Sequence, residues 1–192
     1  PTPGRHMAVN AAASVAVCLD LGVAPAIIAK ALGAFAGVER RWHDHGVAGG
    51  VRIIDDYAHH PVELAAAIET ARTVATPGQR LVLAFQPQLV SRTRRMSARF
   101  AATLAMADHT LLLDLDPGGE RIVDDVDSAG IADHVRRLGG QAETCASVED
   151  FLLVAPRRLQ HGDFLLVAGA GEIRSCAARL ADALRATPAP SI

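Results

Sequence analysis

Residues 51–61 read VRIIDDYAHHP, and this stretch decides the fold. Its apolar start has the pattern of a buried strand, and Pro61 then opens a helix, since proline is favoured in the first helical turn. Further along the chain, short strand-like runs are each followed by a helical pattern. This alternation predicts an α/β fold: a doubly wound, mostly parallel sheet with helices on both faces.

The predicted elements after residue 57 alternate without a break. Turn-forming residues and changes of hydrophobic period set their limits. The predicted helices cover residues 61–74, 91–106, 128–138, 148–159 and 172–186, and the predicted strands cover 80–85, 109–115, 141–146 and 163–171. The last six residues, TPAPSI, are predicted to be frayed.

The residues before this domain follow a different pattern. The alanine-rich run MAVNAAASVAVCLDL, residues 7–21, predicts a buried helix closed by Gly22, and a second helix is predicted over 25–35. Residues 40–45 and 51–57 then resemble two short strands joined by a glycine-containing turn. We therefore divide the chain into a helical unit, residues 1–38, and an α/β domain, residues 39–192.

Composition narrows the function classes. The 192 residues are 50% hydrophobic and 21% charged, which is typical of a soluble globular protein, and the formal net charge is −2. The charges are mixed in sign, so neither a nucleic acid nor a membrane is expected as a partner. Three widely spaced cysteines argue against disulfides and zinc and favour a reducing cytoplasm. Because the chain starts at Pro1 and not at methionine, we expect a piece of a longer polypeptide.

The first candidate site follows the strand at residues 51–57. Its polar side chains belong to Asp55, Asp56, Tyr57, His59 and His60. In an open α/β sheet, ligands bind at the carboxyl ends of strands, where a carboxylate suits a ribose diol and a histidine suits an anionic group. The structural alternative is that His60 caps the helix and backbone N–H groups satisfy Asp55. A metal site is not expected, because adjacent histidines on a turn rarely point together.

The second candidate site is FQPQLVSRT, residues 85–93, where another strand runs into a helix. Gln88, Ser91 and Arg92 are expected to face the same crevice as His59. The forked guanidinium of Arg92 suits a carboxylate, and its position near the positive end of a helix is unfavourable unless it has such a role. The alternative is an exposed arginine on a solvated helix face that also carries other arginines.

Two further features are less specific. Gly169 and Gly171 lie where the last strand turns into a helix, and we interpret them as a tight turn with a close backbone approach, with phosphate binding as the alternative. Arg40 and Arg41 lie between the two units, where they either clamp phosphates or pack one unit on the other.

Taken together, five motifs resemble the Mur ligases, a family of ATP-dependent amide-forming enzymes. The resemblance spans nearly the whole chain, and IIDDYAHHP is its most specific part. The motifs are GRHMAVNAAAS at 4–14, GVERRW at 37–42, IIDDYAHHP at 53–61, the frame FQPxxxSRT at 85–93, and GDFLLVAGAGEI at 162–173.

The resemblance implies a three-domain enzyme that uses ATP and Mg²⁺ to join a small amino acid, L-alanine, to UDP-N-acetylmuramic acid. Residues 1–38 would be the last helices of its central ATP-binding domain. His6 and Asn10 would then lie near the adenine, Arg41 near the phosphates and Asp56 at the ribose. The phosphate loop and the metal ligands would lie outside this chain, so we assign no catalytic or metal-binding residue here and expect no activity from the chain alone.

For the incoming amino acid, the resemblance implies contacts with Tyr57, His59, Gln88 and Arg92. Gln88 stands where the family usually has histidine, and a glutamine can neither carry charge nor move a proton. Three other positions also depart from the family pattern: Val90 replaces an aromatic residue, Glu172 replaces an aspartate, and DLDPGGERI at 114–122 lacks an expected tyrosine.

These departures leave two hypotheses beside an active alanine-adding ligase. Either the amino acid differs, or the chain is a degenerate Mur-like module that binds a nucleotide or a partner without catalysis. An unrelated doubly wound dinucleotide-binding domain is a third hypothesis, although the first strand carries no glycine fingerprint.

Overall fold

The computed structural model describes residues 2–123 and 125–186. The helices are α1 Arg5–Asp20, α2 Pro25–Ala34, α3 Pro61–Val74, α4 Val90–Leu104, α5 Ser128–Arg137, α6 Val148–Arg158 and α7 Cys176–Ala186. The strands are β1 His43–Ala48, β2 Val51–Asp56, β3 Leu81–Phe85, β4 His109–Leu113, β5 Ala142–Cys145 and β6 Phe164–Ala168. A 3₁₀ turn, Glu172–Ser175, starts the last predicted helix, and the predicted frayed tail lies outside the described residues.

The sheet confirms the predicted fold class. Its strands are ordered β1-β2-β6-β3-β4-β5, and every neighbouring pair is parallel except β1 and β2. Strand β1 runs antiparallel at the edge and contains a bulge between Asp44 and Val47. The carboxyl ends of β2, β6, β3 and β4 therefore lie side by side at one edge of the sheet, which is where an α/β fold builds its ligand crevice.

Helices cover the sheet on both faces because side chains alternate along each strand. Leu83 and Phe85 of β3 pack with Phe100 of α4 in one apolar cluster, whereas Val82 of the same strand packs in a second cluster with Phe151 of α6. All five side chains are fully buried. The α/β domain is thus built on two complete hydrophobic layers, which hold the strand ends rigidly.

Cys145 and Cys176 belong to the second of these layers. Both are buried free thiols, and burial raises the pKa of each to about 12. They therefore pack as small apolar side chains.

The first helix differs from its prediction as a buried helix. Helix α1 contains no buried residue, and Val9 and Val17 are 61% and 60% exposed. Among the described residues it packs mainly against α2 and α3, and much of its apolar surface is exposed. The alanine-rich sequence indicates that this helix packs closely against another surface, but the sequence alone does not identify that surface. In the described ranges, no helix is both long and apolar enough to cross a membrane.

Candidate functional site

A cavity of about 1020 Å³ separates the leading helices α1 and α2 from the start of the α/β domain. Its apolar wall comes from both leading helices, and the opposite side is formed by the end of β2 and the first turns of α3. The structure brings together here all four residues predicted to contact a nucleotide: His6, Asn10, Arg41 and Asp56. A mostly apolar wall with a few convergent polar groups is typical of a small-molecule site.

Asp56 is the best-positioned polar group of the cavity. It ends β2, its residue is only 5% exposed, and its two carboxylate oxygens accept backbone N–H groups of Ala58 and Trp42 at 2.8 and 2.9 Å. Burial raises the pKa of Asp56, while these two N–H donors and the charges of Arg41 and His6 act against the rise. Each oxygen keeps a second lone pair, so the carboxylate can accept hydrogen bonds from a diol while it stays fixed.

The neighbouring residues Arg40 and Arg41 have different surroundings. Arg40 turns into the α/β domain, where its guanidinium donates to the Gly169 carbonyl oxygen at 2.5 Å and to Asp55 at 3.3 Å. Arg41 lines the cavity instead. Both guanidinium carbons lie 5.3 Å from the centre of the Tyr57 ring, so two cations contact this ring. Arg40 thus serves packing within the domain, and Arg41 faces the cavity.

Asp55 lies on the opposite face of β2 from Asp56. The structural alternative, that backbone N–H groups satisfy it, is wrong: its partner is Arg40. Among the described residues, its Oδ1 atom and the Nε2 atom of His45 are buried without hydrogen-bond partners. Burial raises the pKa of Asp55, although the Arg40 guanidinium opposes the rise, and burial lowers the pKa of His45.

Three of the four residues predicted to contact an amino acid lie together. The Tyr57 and His59 rings meet edge to face with centres 5.0 Å apart, and Arg92 Nη1 donates to the His59 carbonyl oxygen at 3.5 Å. His60 caps α3 by accepting from the Val62 N–H group at 3.3 Å, as the structural alternative predicted. Arg92 is half-buried at the start of α4, whereas Arg94, Arg95 and Arg99 of the same helix are exposed.

The fourth residue, Gln88, has a partner that the sequence interpretation missed. Its side-chain amide donates to Asp116 Oδ2 at 3.1 Å. The two residues also form a parallel bridge that extends the pairing of β3 and β4 beyond the sheet. The position of Asp116 in the sequence could have indicated it. Asp116 follows a buried strand by three residues, so it lies at the same edge of the sheet as the other candidate residues.

The glycine turn at the end of β6 confirms a close backbone approach. Gly169 has a φ of 142°, and a Cβ atom on it would lie 3.1 Å from the Gln86 carbonyl oxygen and 2.8 Å from Ile173 Cγ2. The Gln86 side chain, which is buried, accepts from the Ile173 N–H group at 2.9 Å. The turn is therefore packed against β3, and no phosphate contact is required to explain its glycines.

Comparisons with known proteins identify the family of this chain. The family model "Mur ligase, glutamate ligase domain" matches residues 40–171, so the chain belongs to this family. It is 41% identical over 190 residues to a UDP-N-acetylmuramate–L-alanine ligase from Renibacterium salmoninarum and 44% identical over 185 residues to one from Stenotrophomonas maltophilia. These alignments cover 99% and 93% of this chain but only 40% and 38% of the relatives.

A solved structure shows the same fold. The crystal structure of UDP-N-acetylmuramate–alanine ligase from Thermotoga maritima superposes with a TM-score of 0.77 at 27% identity, over 94% of this chain and 38% of that protein. The chain thus spans about two fifths of the length of the relatives it matches. Family membership excludes the unrelated dinucleotide-binding domain. Across residues 2–123 and 125–186, no group of three or more His, Cys, Asp or Glu is arranged to hold a metal ion.

Proposed function

We propose that this chain is the carboxyl-terminal part of an ATP-dependent ligase that joins a small amino acid to UDP-N-acetylmuramic acid in peptidoglycan precursor synthesis. The observation that carries the proposal is the convergence of His6, Asn10, Arg41 and Asp56 on one cavity. Residues 1–38 would belong to the central ATP-binding domain and residues 39–192 to the terminal domain. The enzyme would act in the cytoplasm, where ATP and nucleotide sugars are available.

The proposed reaction has two steps. The γ-phosphoryl group of ATP passes to the substrate carboxylate, which gives an acyl phosphate and ADP. The amino group then attacks the acyl carbon, the carbon–oxygen bond to phosphate breaks, and the amine loses a proton. Such chemistry depends mainly on positioning and on stabilising phosphoryl charge, and Mg²⁺ held outside this chain would supply part of that charge.

The residues of this chain would bind and orient the two small substrates. Asp56 would accept hydrogen bonds from the ribose hydroxyls. Arg41, whose guanidinium contacts the Tyr57 ring, would approach the phosphates. On the neighbouring strand ends, Arg92 would hold the amino-acid carboxylate beside His59. Closing of the terminal domain over the central one would then bring the amine to the acyl phosphate.

The experiment uses the complete polypeptide that the gene encodes. Phosphate release and product mass are measured with ATP, Mg²⁺, UDP-N-acetylmuramic acid and L-alanine. We expect product that depends on all four components. Absence of product with every amino acid tried would overturn the proposal.

The role of Asp56 is tested by nucleotide discrimination. The wild type should prefer ATP over 2′,3′-dideoxy-ATP by about tenfold or more, because hydrogen bonds to a charged group contribute about 1.5–3 kcal/mol. In Asp56→Asn this preference should shrink, whereas Asp44→Asn, an exposed carboxylate of β1, should keep it. An unchanged preference in Asp56→Asn would contradict the ribose role.

One observation favours the second candidate, a Mur-like module without catalysis. Gln88 is uncharged and its amide is already engaged with Asp116. Such a module would bind ATP with the discrimination described above but would release no phosphate.

A further inference from the structure

Arg41 reaches the cavity from a strained segment of backbone. Across the part of the chain that the structure describes, three residues other than glycine have a positive φ: Arg40 at 58°, Trp42 at 55° and Leu89 at 67°. Two of them flank Arg41 directly. A Cβ atom makes this conformation costly, so it persists only where the surrounding structure holds it. The contacts that hold residues 40 and 42 therefore also fix the direction in which the Arg41 side chain leaves the backbone.

Backbone hydrogen bonds tie this segment to the end of β2. The Tyr57 N–H group donates to the Arg40 carbonyl oxygen at 2.6 Å. The Trp42 N–H group donates to Asp56 Oδ2 at 2.9 Å, and the half-buried Trp42 side chain packs against the apolar core of the domain. The backbone on both sides of Arg41 is thus anchored to the strand that ends in the cavity carboxylate.

The Arg40 side chain adds two contacts to the same segment. Its Nη2 atom donates to the Gly169 carbonyl oxygen after β6, and its Nε atom donates to Asp55 Oδ2 at the end of β2. Asp55 is only 4% exposed, and among the described side chains Arg40 alone forms an ion pair with it. Loss of the guanidinium would leave a buried carboxylate without an ionic partner, which is strongly unfavourable. Arg40 therefore holds the segment onto two neighbouring strand ends.

We propose that Arg40 is a positioning residue for the nucleotide phosphates: it holds the strained segment so that the guanidinium of its neighbour, Arg41, stays at the cavity. This inference rests on the proposed function, in which Arg41 approaches the phosphates. Arg40 itself turns into the domain and pairs with Asp55, so its own charge is not directed at the cavity. Without its contacts, the two residues that flank Arg41 relax toward negative φ and redirect the Arg41 side chain.

The test compares the affinities of the complete polypeptide for ATP and for adenosine, because only ATP carries phosphates. Dissociation constants are measured by calorimetry with Mg²⁺ present, and their ratio reports the phosphate contacts. We expect Arg41→Gln to lower the preference for ATP by about tenfold or more, since it removes hydrogen bonds to a charged group. Arg40→Gln should lower the preference by about threefold or more and leave the affinity for adenosine unchanged.

Coupling between the two arginines separates an indirect role of Arg40 from a direct one. Residues that act independently have effects that multiply, whereas residues that act through one contact do not. We therefore expect the double variant Arg40→Gln/Arg41→Gln to prefer ATP as much as Arg41→Gln does. Arg40→Lys keeps the charge but lacks the fork that reaches two acceptors, so it should also lower the preference.

Arg80→Gln is the matched control. Arg80 is also a half-buried arginine that pairs with a buried carboxylate, that of Asp163 at 3.1 Å, and donates to a backbone carbonyl oxygen, that of Arg158. It lies at the opposite end of the sheet, because Arg80 precedes β3 and Asp163 precedes β6. The control should destabilise the domain but keep the wild-type preference for ATP.

Three results would overturn the inference while the proposed function stands: a preference that Arg40→Gln leaves unchanged, effects that multiply in the double variant, or an equal loss in Arg80→Gln. An unchanged preference in Arg41→Gln, or a wild type that binds ATP no better than adenosine, would overturn the phosphate role of Arg41 and the inference together.

Discussion

The leading helices and the α/β domain are both rich in apolar residues, but they bury them very differently. Strands β3 and β6 of the domain are buried over their whole length, whereas α1 has no buried residue and α2 has only Ile28. Hydrophobic burial is the main favourable term in folding, so the domain holds its own shape and the helical pair contributes little to it. One wall of the cavity between them therefore belongs to a well-packed core, and the other wall has few buried contacts.

This difference has a consequence for the site. Asp56 is fixed by two backbone N–H donors within the domain, but His6 and Asn10 lie on the helix that has no buried residue. In the proposed function, nucleotide binding would therefore join a preformed half-site to one whose position depends on packing outside the domain.

The largest expected effect is on the core of the domain. Phe100→Ala removes a fully buried ring and should lower the free energy of unfolding by about 3–5 kcal/mol. Val17→Ala on α1 removes an exposed side chain and should change it by less than about 0.5 kcal/mol. Urea unfolding of this chain measures both. Equal losses for the two variants would show that the helical pair is part of the same core.

A smaller effect is expected from two glycines with positive φ. Gly169→Ala should cost about 2–4 kcal/mol, because an unfavourable backbone conformation adds to contacts with the Gln86 backbone and Ile173. Gly22→Ala, after α1, has a φ of 78° but no atom within 4 Å of the added Cβ, so only the backbone cost of about 1 kcal/mol applies. Thermal unfolding compares them, and a larger loss at Gly22 would contradict the proposed difference in packing.

The smallest effect concerns pH. Because burial raises the pKa of Asp55, the native state keeps its proton at pH values where the unfolded chain has lost it. The stability that this proton contributes is present below the ordinary carboxyl pKa and is lost as the pH rises through the raised value. Asp55→Asn should make that decline shallower, whereas Asp44→Asn on β1 should not. Denaturant unfolding at a series of acidic to neutral pH values tests this, and identical slopes would refute it.

Much of the fold could be predicted from local patterns. The apolar strands and the capped helices lie within a few residues of their predicted limits, because strand burial, proline at the start of α3 and glycine turns are encoded locally. The exposure of α1 could not be predicted, since an alanine-rich run does not specify its partner. Which residue of β2 pairs with Arg40 and which faces the cavity also depended on tertiary contacts, as the different partners of Asp55 and Asp56 show.

The residues of the candidate site could be predicted where they follow a strand end or match a motif of the family. Position alone placed Asp56, Tyr57, His59 and Arg92 at one edge of the sheet. The contact of Asp116 with Gln88, 28 residues away, was missed because pairing between loops after different strands is not a local property of the sequence.

We infer that the leading helices and the α/β domain bind one adenine nucleotide between them. It is tested most directly by photolabelling the complete polypeptide with 8-azido-ATP and Mg²⁺, followed by mass spectrometry of its peptides. We predict labelling of α1 that excess ATP suppresses and that Asp56→Asn weakens. ATP-protectable label that spares α1 and the start of α3, or that lies beside a surface depression at residues 76–79, would contradict this inference.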